Sequence, residues 1–131
     1  MTVVKYRIIY ADTDQMGVVY HSNYFKFFEM CRGEMMRENN LSYKEVEELG
    51  FMLPIIESHC EYKLPAKYDD IIEISGKVAE VKGIRVKIEC EVYCNNQLLA
   101  KGYTVHICTN KNGKPIKVPE TLVNMYEKSK N

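Results

Sequence analysis

With 131 residues, 18 basic and 18 acidic side chains, the chain is neutral overall. That balance offers none of the basic excess by which nucleic-acid-binding proteins attract their ligand, and no apolar run approaches the roughly 20 residues of a membrane span. One domain over residues 1–131 is expected at this length, with weak self-repulsion that suits an oligomer.

Residues 2–10 alternate and carry Lys5 and Arg7 within the pattern. They read as a first strand and not as the apolar core of a signal peptide, so a cytoplasmic location is the simplest expectation. Residues 11–17 form a turn rich in Asp, Thr and Gly. Ser22 or Asn23 then caps a helix. Tyr24, Phe27, Phe28, Cys31 and Met35, joined by Met36, recur in it at helical spacing to about Glu38. Lys26, Glu29, Arg32 and Arg37 occupy its opposite face, and Asn39-Asn40 ends it. Ser42 with Glu45 is a capping box for a short second helix, which Gly50 closes.

From Phe51 the period becomes two. Residues 51–64 form a long strand interrupted at Pro54, which implies an edge or a bulge. Residues 69–81 are the next strand, followed by a Lys82-Gly83 turn. Over residues 84–94, Val86, Ile88, Cys90 and Val92 face one way and Arg85, Lys87, Glu89 and Glu91 the other, so this strand is half exposed. Asn95-Asn96 turns the chain into residues 97–109, and Asn112-Gly113 makes a further tight turn. Pro119-Glu120 opens a last helix with Leu122, Met125 and Tyr126 inward. Residues 128–131 are expected to fray. The order is strand, long helix, short helix, four strands, short helix. Consecutive strands joined by hairpins give an antiparallel sheet, and the long helix must cover one of its faces, an α+β architecture.

Cys31, Cys60, Cys90, Cys94 and Cys108 are odd in number and scattered, unlike a disulfide framework. No Cys-x-x-Cys pair suggests zinc. They read as small apolar residues in a reducing compartment.

The chemistry concentrates in Tyr10-Ala11-Asp12-Thr13-Asp14-Gln15-Met16-Gly17-Val18-Val19-Tyr20-His21-Ser22-Asn23-Tyr24. The first N–H groups of a helix lack internal partners and carry positive partial charge, so a turn feeding a helix can polarise a carbonyl. An acid and an imidazole beside it supply the parts for attack on an activated acyl group, which points to acyl transfer or hydrolysis. Asp14 is either the nucleophile, the general base on water, or an Asx-turn acceptor that ties down the loop. Asp12 reads as structural, and the spacing lacks the further carboxylates of a calcium loop, so no metal is expected. His21 either orients water or substrate and aids the leaving group, or packs at the helix entry. Tyr10 either bonds Asp14 or the substrate, or merely ends a strand. Gly17 supplies a backbone conformation and close approach that a side chain would block. Glu29 and Arg32 either pair on the helix or hold a loop of a partner subunit. His59 and His106 have no motif around them and read as ordinary strand residues.

Three blocks, Tyr10-Ala11-Asp12-Thr13-Asp14, Gly17-Val18-Val19-Tyr20-His21-Ser22-Asn23-Tyr24 and Phe28-Glu29-Met30-Cys31-Arg32, carry a resemblance. Tyr62-Lys63-Leu64-Pro65-Ala66 and Tyr68-Asp69-Asp70 support it. Together they resemble the 4-hydroxybenzoyl-CoA thioesterase family of hot-dog-fold acyl-CoA thioesterases, and most closely its branch associated with the Tol–Pal system. The likeness spans nearly the whole chain, from about residue 5 to residue 119. It implies an antiparallel sheet wrapped around a central helix, and dimers with active sites at the subunit interface, often paired into tetramers. It places the catalytic carboxylate on Asp14 and the polarising N–H on or next to His21. The tyrosine and histidine that the branch adds fall on Tyr10 and His21. Gln15-Met16 departs from the small residues more usual there, so acyl preference does not carry over. Substrate contacts are expected at Gly17 and Asn23, and CoA phosphate contacts at Lys82 and Arg85 around the Lys82-Gly83 turn. The expected protein is a cofactor-free, homo-oligomeric hydrolase acting on acyl-CoA. Acyl carrier protein in place of CoA is a second enzymatic reading, and a non-catalytic acyl-CoA-binding hot-dog module is the rival from another class.

Overall fold

The apolar stripe at helical spacing becomes one face of α1 (Asn23–Glu38) in the computed structural model, which describes residues 1–130. Tyr24, Phe27, Phe28, Cys31 and Met35 are all buried, and burying each large apolar side chain contributes about 1.5–3 kcal/mol relative to exposure. The helix lies on a five-stranded antiparallel sheet built from β1 (Thr2–Arg7), β3 (Ile55–Tyr62), β4 (Ile71–Lys82), β5 (Arg85–Cys94) and β6 (Gln97–Ile107). Their order is β1-β4-β5-β6-β3. The inward row of β5, Val86, Ile88, Cys90 and Val92, is buried as its alternation requires. A transverse row of small residues, Gly76, Cys90, Gly102 and Cys60, crosses four strands beneath α1. It lets Cys31 and Phe28 approach the sheet closely.

Ser42 and Glu45 form the expected reciprocal cap on α2 (Tyr43–Leu49), and Gly50 closes it at φ 76°. The chain then passes through β2 (Phe51–Met52), which pairs with β7 (Thr109–Asn110) in a separate two-stranded ribbon. At the other end, α3 (Glu120–Ser129) buries Leu122 and Met125 and packs beside β4. No helix among the described residues is long and apolar enough to cross a membrane.

Several boundaries differ from the sequence expectation, each for a local reason. The first strand stops at Arg7, because Ile8 N–H turns to the carbonyl of Asp70 and residues 10–12 wind into a 3-10 turn. Pro54 splits the expected 51–64 strand into β2 and β3 and leaves β3 at the sheet edge, with a bulge between Ile55 and Glu57. The strand expected from residue 69 begins at Ile71, since Asp69 is left-handed (φ 72°) and Asp70 accepts the Lys67 N–H in a turn. The 97–109 strand likewise divides into β6 and β7. Among the described residues, only β4–β5 and β5–β6 are hairpin neighbours. β3 and β4 are consecutive in sequence yet separated by two strands in the sheet, so the uniform hairpin expectation fails there. Neither Ser22 nor Asn23 caps α1 with its side chain: Ser22 already has helical backbone angles, and Asn23 is the first helical residue. Glu29 and Arg32 form no ion pair, while Arg37 pairs with Glu34 at 2.9 Å. In the stretch expected to fray, α3 continues through Lys128 and Ser129, and Ser129 Oγ donates to the Val78 carbonyl at 2.7 Å. Asn131, also in the stretch expected to fray, lies outside the described residues.

Candidate active site

The segment between β1 and α1 folds back on itself. Thr13 and Val19 form an isolated bridge, and Val18 bridges to Lys67. Asp14 sits at the head of this small hairpin. Its N–H donates to the Val18 carbonyl (2.9 Å) and its carbonyl accepts from Gly17 (3.0 Å). Its Oδ1 accepts the Met16 N–H at 2.8 Å, the Asx-turn bond. Oδ2 has no hydrogen bond among the described residues. Gly17 adopts φ +79°, which explains the residue; an added Cβ would meet nothing within 4 Å, so close packing does not.

Asp14 and His21 line one cleft of about 440 Å³, with Met16, Tyr24, Tyr62 and Leu64 also on its wall. His21 stands at the entry to α1. Tyr24 N–H bonds back to the His21 carbonyl, whereas the N–H groups of His21 and Ser22 have no acceptor among the described residues. Unengaged N–H donors at a helix start are groups that can polarise a carbonyl. Tyr62 Oη donates to the His21 carbonyl at 3.1 Å, and its ring meets those of His21 and Tyr24 edge-on. Burial, then the neighbouring Cys60, pushes the Tyr62 pKa up to about 12, so its hydroxyl remains a donor at neutral pH.

Asp12 is the buried centre of the segment, only 2% exposed. Its carboxylate accepts from Tyr6 Oη (2.7 Å), Ile9 N–H (3.0 Å) and the Lys26 ammonium, with which it forms an ion pair. Its carbonyl accepts from Tyr20 N–H (2.9 Å) and Asn23 Nδ2 (2.8 Å). Burial raises the Asp12 pKa, but the hydrogen bonds from Lys26, Ile9 and Tyr6 outweigh it and hold the carboxyl below its ordinary value. The Lys26 pKa is raised, since that pairing outweighs the larger single effect of burial.

The other sequence candidates lie elsewhere. Tyr10 is 81% exposed, with its ring edge-on to Tyr68, and does not line the cleft. Lys82 and Arg85 face each other at the exposed end of the β4–β5 hairpin, also away from the cleft. Arg32 lines a second cavity of about 390 Å³ with Glu29, Met36, Phe51, Leu53 and Ile55. Burial lowers the Arg32 pKa. His106 is buried against that cavity and donates through Nδ1 to the Leu53 carbonyl (2.9 Å), while Nε2 accepts from Thr104 (2.8 Å). Burial lowers its pKa, which keeps the ring neutral. Tyr62, Leu64 and Lys26 were the residues that sequence reasoning missed as parts of this site. The first two lay in the supporting Tyr62-Lys63-Leu64-Pro65-Ala66 block, and the contacts Val18 to Lys67 and Val19 N–H to the Ala66 carbonyl show that this block folds against the acid loop.

An antiparallel sheet on a long central helix, with an acidic loop entering that helix, is the hot-dog fold of a thioesterase. The profile of the thioesterase-like superfamily matches residues 10–125, and the chain belongs to that family. It is 33% identical over 120 residues to the acyl-CoA thioesterase YbgC of Haemophilus influenzae, covering 88% of this chain and 87% of that one. It is 31% identical over 119 residues to the acyl-CoA thioester hydrolase YbgC of Escherichia coli, covering 89% of each. A solved structure of a hypothetical protein from Aquifex aeolicus superposes with a TM-score of 0.88 at 30% identity, over 95% of this chain and 98% of that one.

Proposed function

We propose that this thioesterase hydrolyses acyl-CoA to a free acid and CoA, with Asp14 as the catalytic carboxylate. The carrying observation is that Asp14, with one carboxylate oxygen unengaged, shares a cleft with His21, whose N–H and that of the adjacent Ser22 have no acceptor among the described residues at the start of α1. Those donors stabilise the oxyanion, each typically worth about 2.7–4 kcal/mol. The YbgC relatives, named as acyl-CoA thioesterases, support CoA as the carrier. Asp14 either attacks the thioester carbon directly or removes a proton from the attacking water. His21 orients water or substrate from the cleft wall, while Gly17 and Asn23 act indirectly, by shaping and holding the loop that carries Asp14. Tyr10, outside the cleft of the single chain, would reach substrate only if a second copy were to extend the site toward it.

A second copy completes the site. β3 is an edge strand with Ile55 and Ile56 about half exposed, and such an edge invites pairing with another chain. Antiparallel pairing of two β3 strands about their centre sets Ile55 of one copy beside Tyr62 of the other. The Asp14 cleft of one protomer then adjoins the second protomer's cavity at Leu53 and Ile55, which offers room for the acyl group. Lys82 and Arg85, which form no ion pair among the described residues, lie at the Ile55 end of the sheet, so in this pairing the second copy's pair supplies the cations for the CoA phosphates. A fully active monomer in sedimentation would refute the two-copy site.

The test is chromatographic detection of CoA released from a panel of acyl-CoAs, with wild type beside Asp14→Ala. Turnover that falls at least about 10²-fold in a folded Asp14→Ala protein is the expected result. Undiminished turnover would remove Asp14 from the chemistry. Tight binding without turnover across the panel and its acyl-carrier-protein counterparts would favour a binding module.

A further inference from the structure

We propose that Lys26 is a positioning residue: by pairing with the buried Asp12 carboxylate it holds the Asp14 hairpin in register with the N-terminus of α1. The proposal rests on the Asp14 reading above and assigns a role to a residue outside the cleft. Asn23 and Lys26 are three apart, so they share one helical face. They grip the same loop residue at two points: Asn23 Nδ2 holds the Asp12 carbonyl, and the Lys26 ammonium holds its carboxylate. Asp12 is two residues from Asp14, and the same carbonyl accepts the N–H of Tyr20, immediately before His21. The carboxylate is in addition held by Tyr6 on β1 and by Ile9 N–H. Helix, strand and both ends of the catalytic loop therefore converge on one residue.

The energetics favour a positioning role over a surface ion pair. Asp12 is 2% exposed on its side chain, while Lys26 is 42% exposed and lays its ammonium over the rings of Tyr6 and Phe27, 5.5 Å from each centroid. Removing Lys26 leaves a buried carboxylate without its counter-ion, and the loop must rearrange to hydrate it or take up a proton. Displacement of a reacting group by about 1 Å can cost 10²-fold in rate.

The test compares kcat, KM and melting temperature for Lys26→Met, Lys26→Arg, Asp12→Asn and the Lys26→Met/Asp12→Asn double variant, with Lys5→Met as a control. Lys5 pairs with Glu73 on the exposed sheet surface and should leave kcat unchanged. Lys26→Met is expected to lower kcat roughly 10- to 100-fold with KM within about threefold, and Lys26→Arg to restore most of it. The double variant should be no worse than the poorer single variant, since both break one interaction. Loss of the counter-ion lets Asp12 protonate at higher pH, so the acid limb of the kcat profile moves upward in Lys26→Met, a change that a merely structural lysine would not cause. Amide exchange at Asp14 and Gly17 should accelerate, independently of turnover. If Lys26→Met does not fold, Tyr6→Phe removes one Asp12 donor while keeping the ion pair, with a smaller kcat loss of the same kind expected. A folded Lys26→Met with wild-type kcat and unchanged exchange would overturn the proposal, as would additive losses in the double variant. Asp14→Asn separates the two claims: full turnover there sinks the Asp14 reading itself, whereas loss there without loss at Lys26 sinks only the positioning role.

Discussion

Gly102→Ala tests how closely α1 is seated on the sheet. Gly102 lies on β6, opposite Cys60 of β3 and Cys90 of β5. A methyl group there would overlap the His59 carbonyl oxygen and stand 2.9 Å from Phe28 Cε2 and 3.0 Å from Cys60 Cα. Ordinary contact begins near 3.4 Å, so the Phe28 ring would have to retreat by about half an ångström. Phe28 is fully buried and cannot swing aside, and the other obstacles are backbone. Overpacking typically costs about 1–3 kcal/mol, and with no flexible neighbour the upper end is expected. At roughly 2–8 °C per kcal/mol, this lowers the melting temperature by about 10 °C. Gly83→Ala is the matched comparison: nothing lies within 4 Å and only its left-handed backbone, φ +63°, is strained, at a cost of about 1–2 kcal/mol. Gly76→Ala falls between, because its 2.8 Å neighbour is the Sγ of Cys31, a side-chain end. Thermal melts followed by circular dichroism rank the three. A Gly102→Ala protein that melts with or above Gly83→Ala would show that β3, β6 and the helix do not approach as described.

Ser42→Ala removes the hydroxyl that accepts the Glu45 N–H and donates to the Glu45 carboxylate. It should cost about 1 kcal/mol in urea unfolding with an unchanged m-value. Stability should also fall on mild acidification. His106 has a folded pKa lowered by burial, so the unfolded chain binds the proton that the folded chain refuses. Stability then declines as pH drops from about 6.5 toward the folded value. Asp12 acts lower: with its folded pKa lowered, its contribution is complete above about 3.9 and is lost as pH falls through the folded value. For Lys26, whose pKa is raised, the contribution is complete below about 10.4 and disappears as pH climbs through its folded value. Unfolding free energies from pH 4 to 8 should therefore slope for wild type and flatten between pH 5 and 7 in His106→Gln; a flat wild-type curve would contradict the buried neutral ring.

The helix was legible because periodicity is a one-dimensional signal. Tyr24, Phe27, Phe28, Cys31 and Met35 are the buried set, and the Ser42–Glu45 box caps α2 as read. The β5 alternation was equally plain. Pair order was not legible. The step from β3 to β4 crosses two intervening strands, and the 62–71 connection carries no local mark of whether it turns back or crosses the sheet. The same limit hid Tyr62 and Leu64, whose place in the cleft follows from that crossing. Asn23 looked like a cap because its type suits one, but its side chain is drawn away by the Asp12 carbonyl, a contact spanning eleven residues.

On the proposed reading of Asp14, the two acids in Asp12-Thr13-Asp14 divide a task that one could not perform. Every local bond of Asp14, through its N–H, carbonyl and Oδ1, stays within residues 14–18. Such a turn fixes the carboxylate relative to its own loop and leaves its distance from α1 undetermined. In the proposed positioning role, that distance is set through Asp12, whose carbonyl and carboxylate both bind the first turn of the helix. An acid that must react needs an unengaged oxygen and access to solvent, whereas an acid that anchors needs burial and a counter-ion. Those demands exclude one another at a single position. Placing them two residues apart in a segment that reverses direction lets one carboxylate enter the core and the other face the cleft.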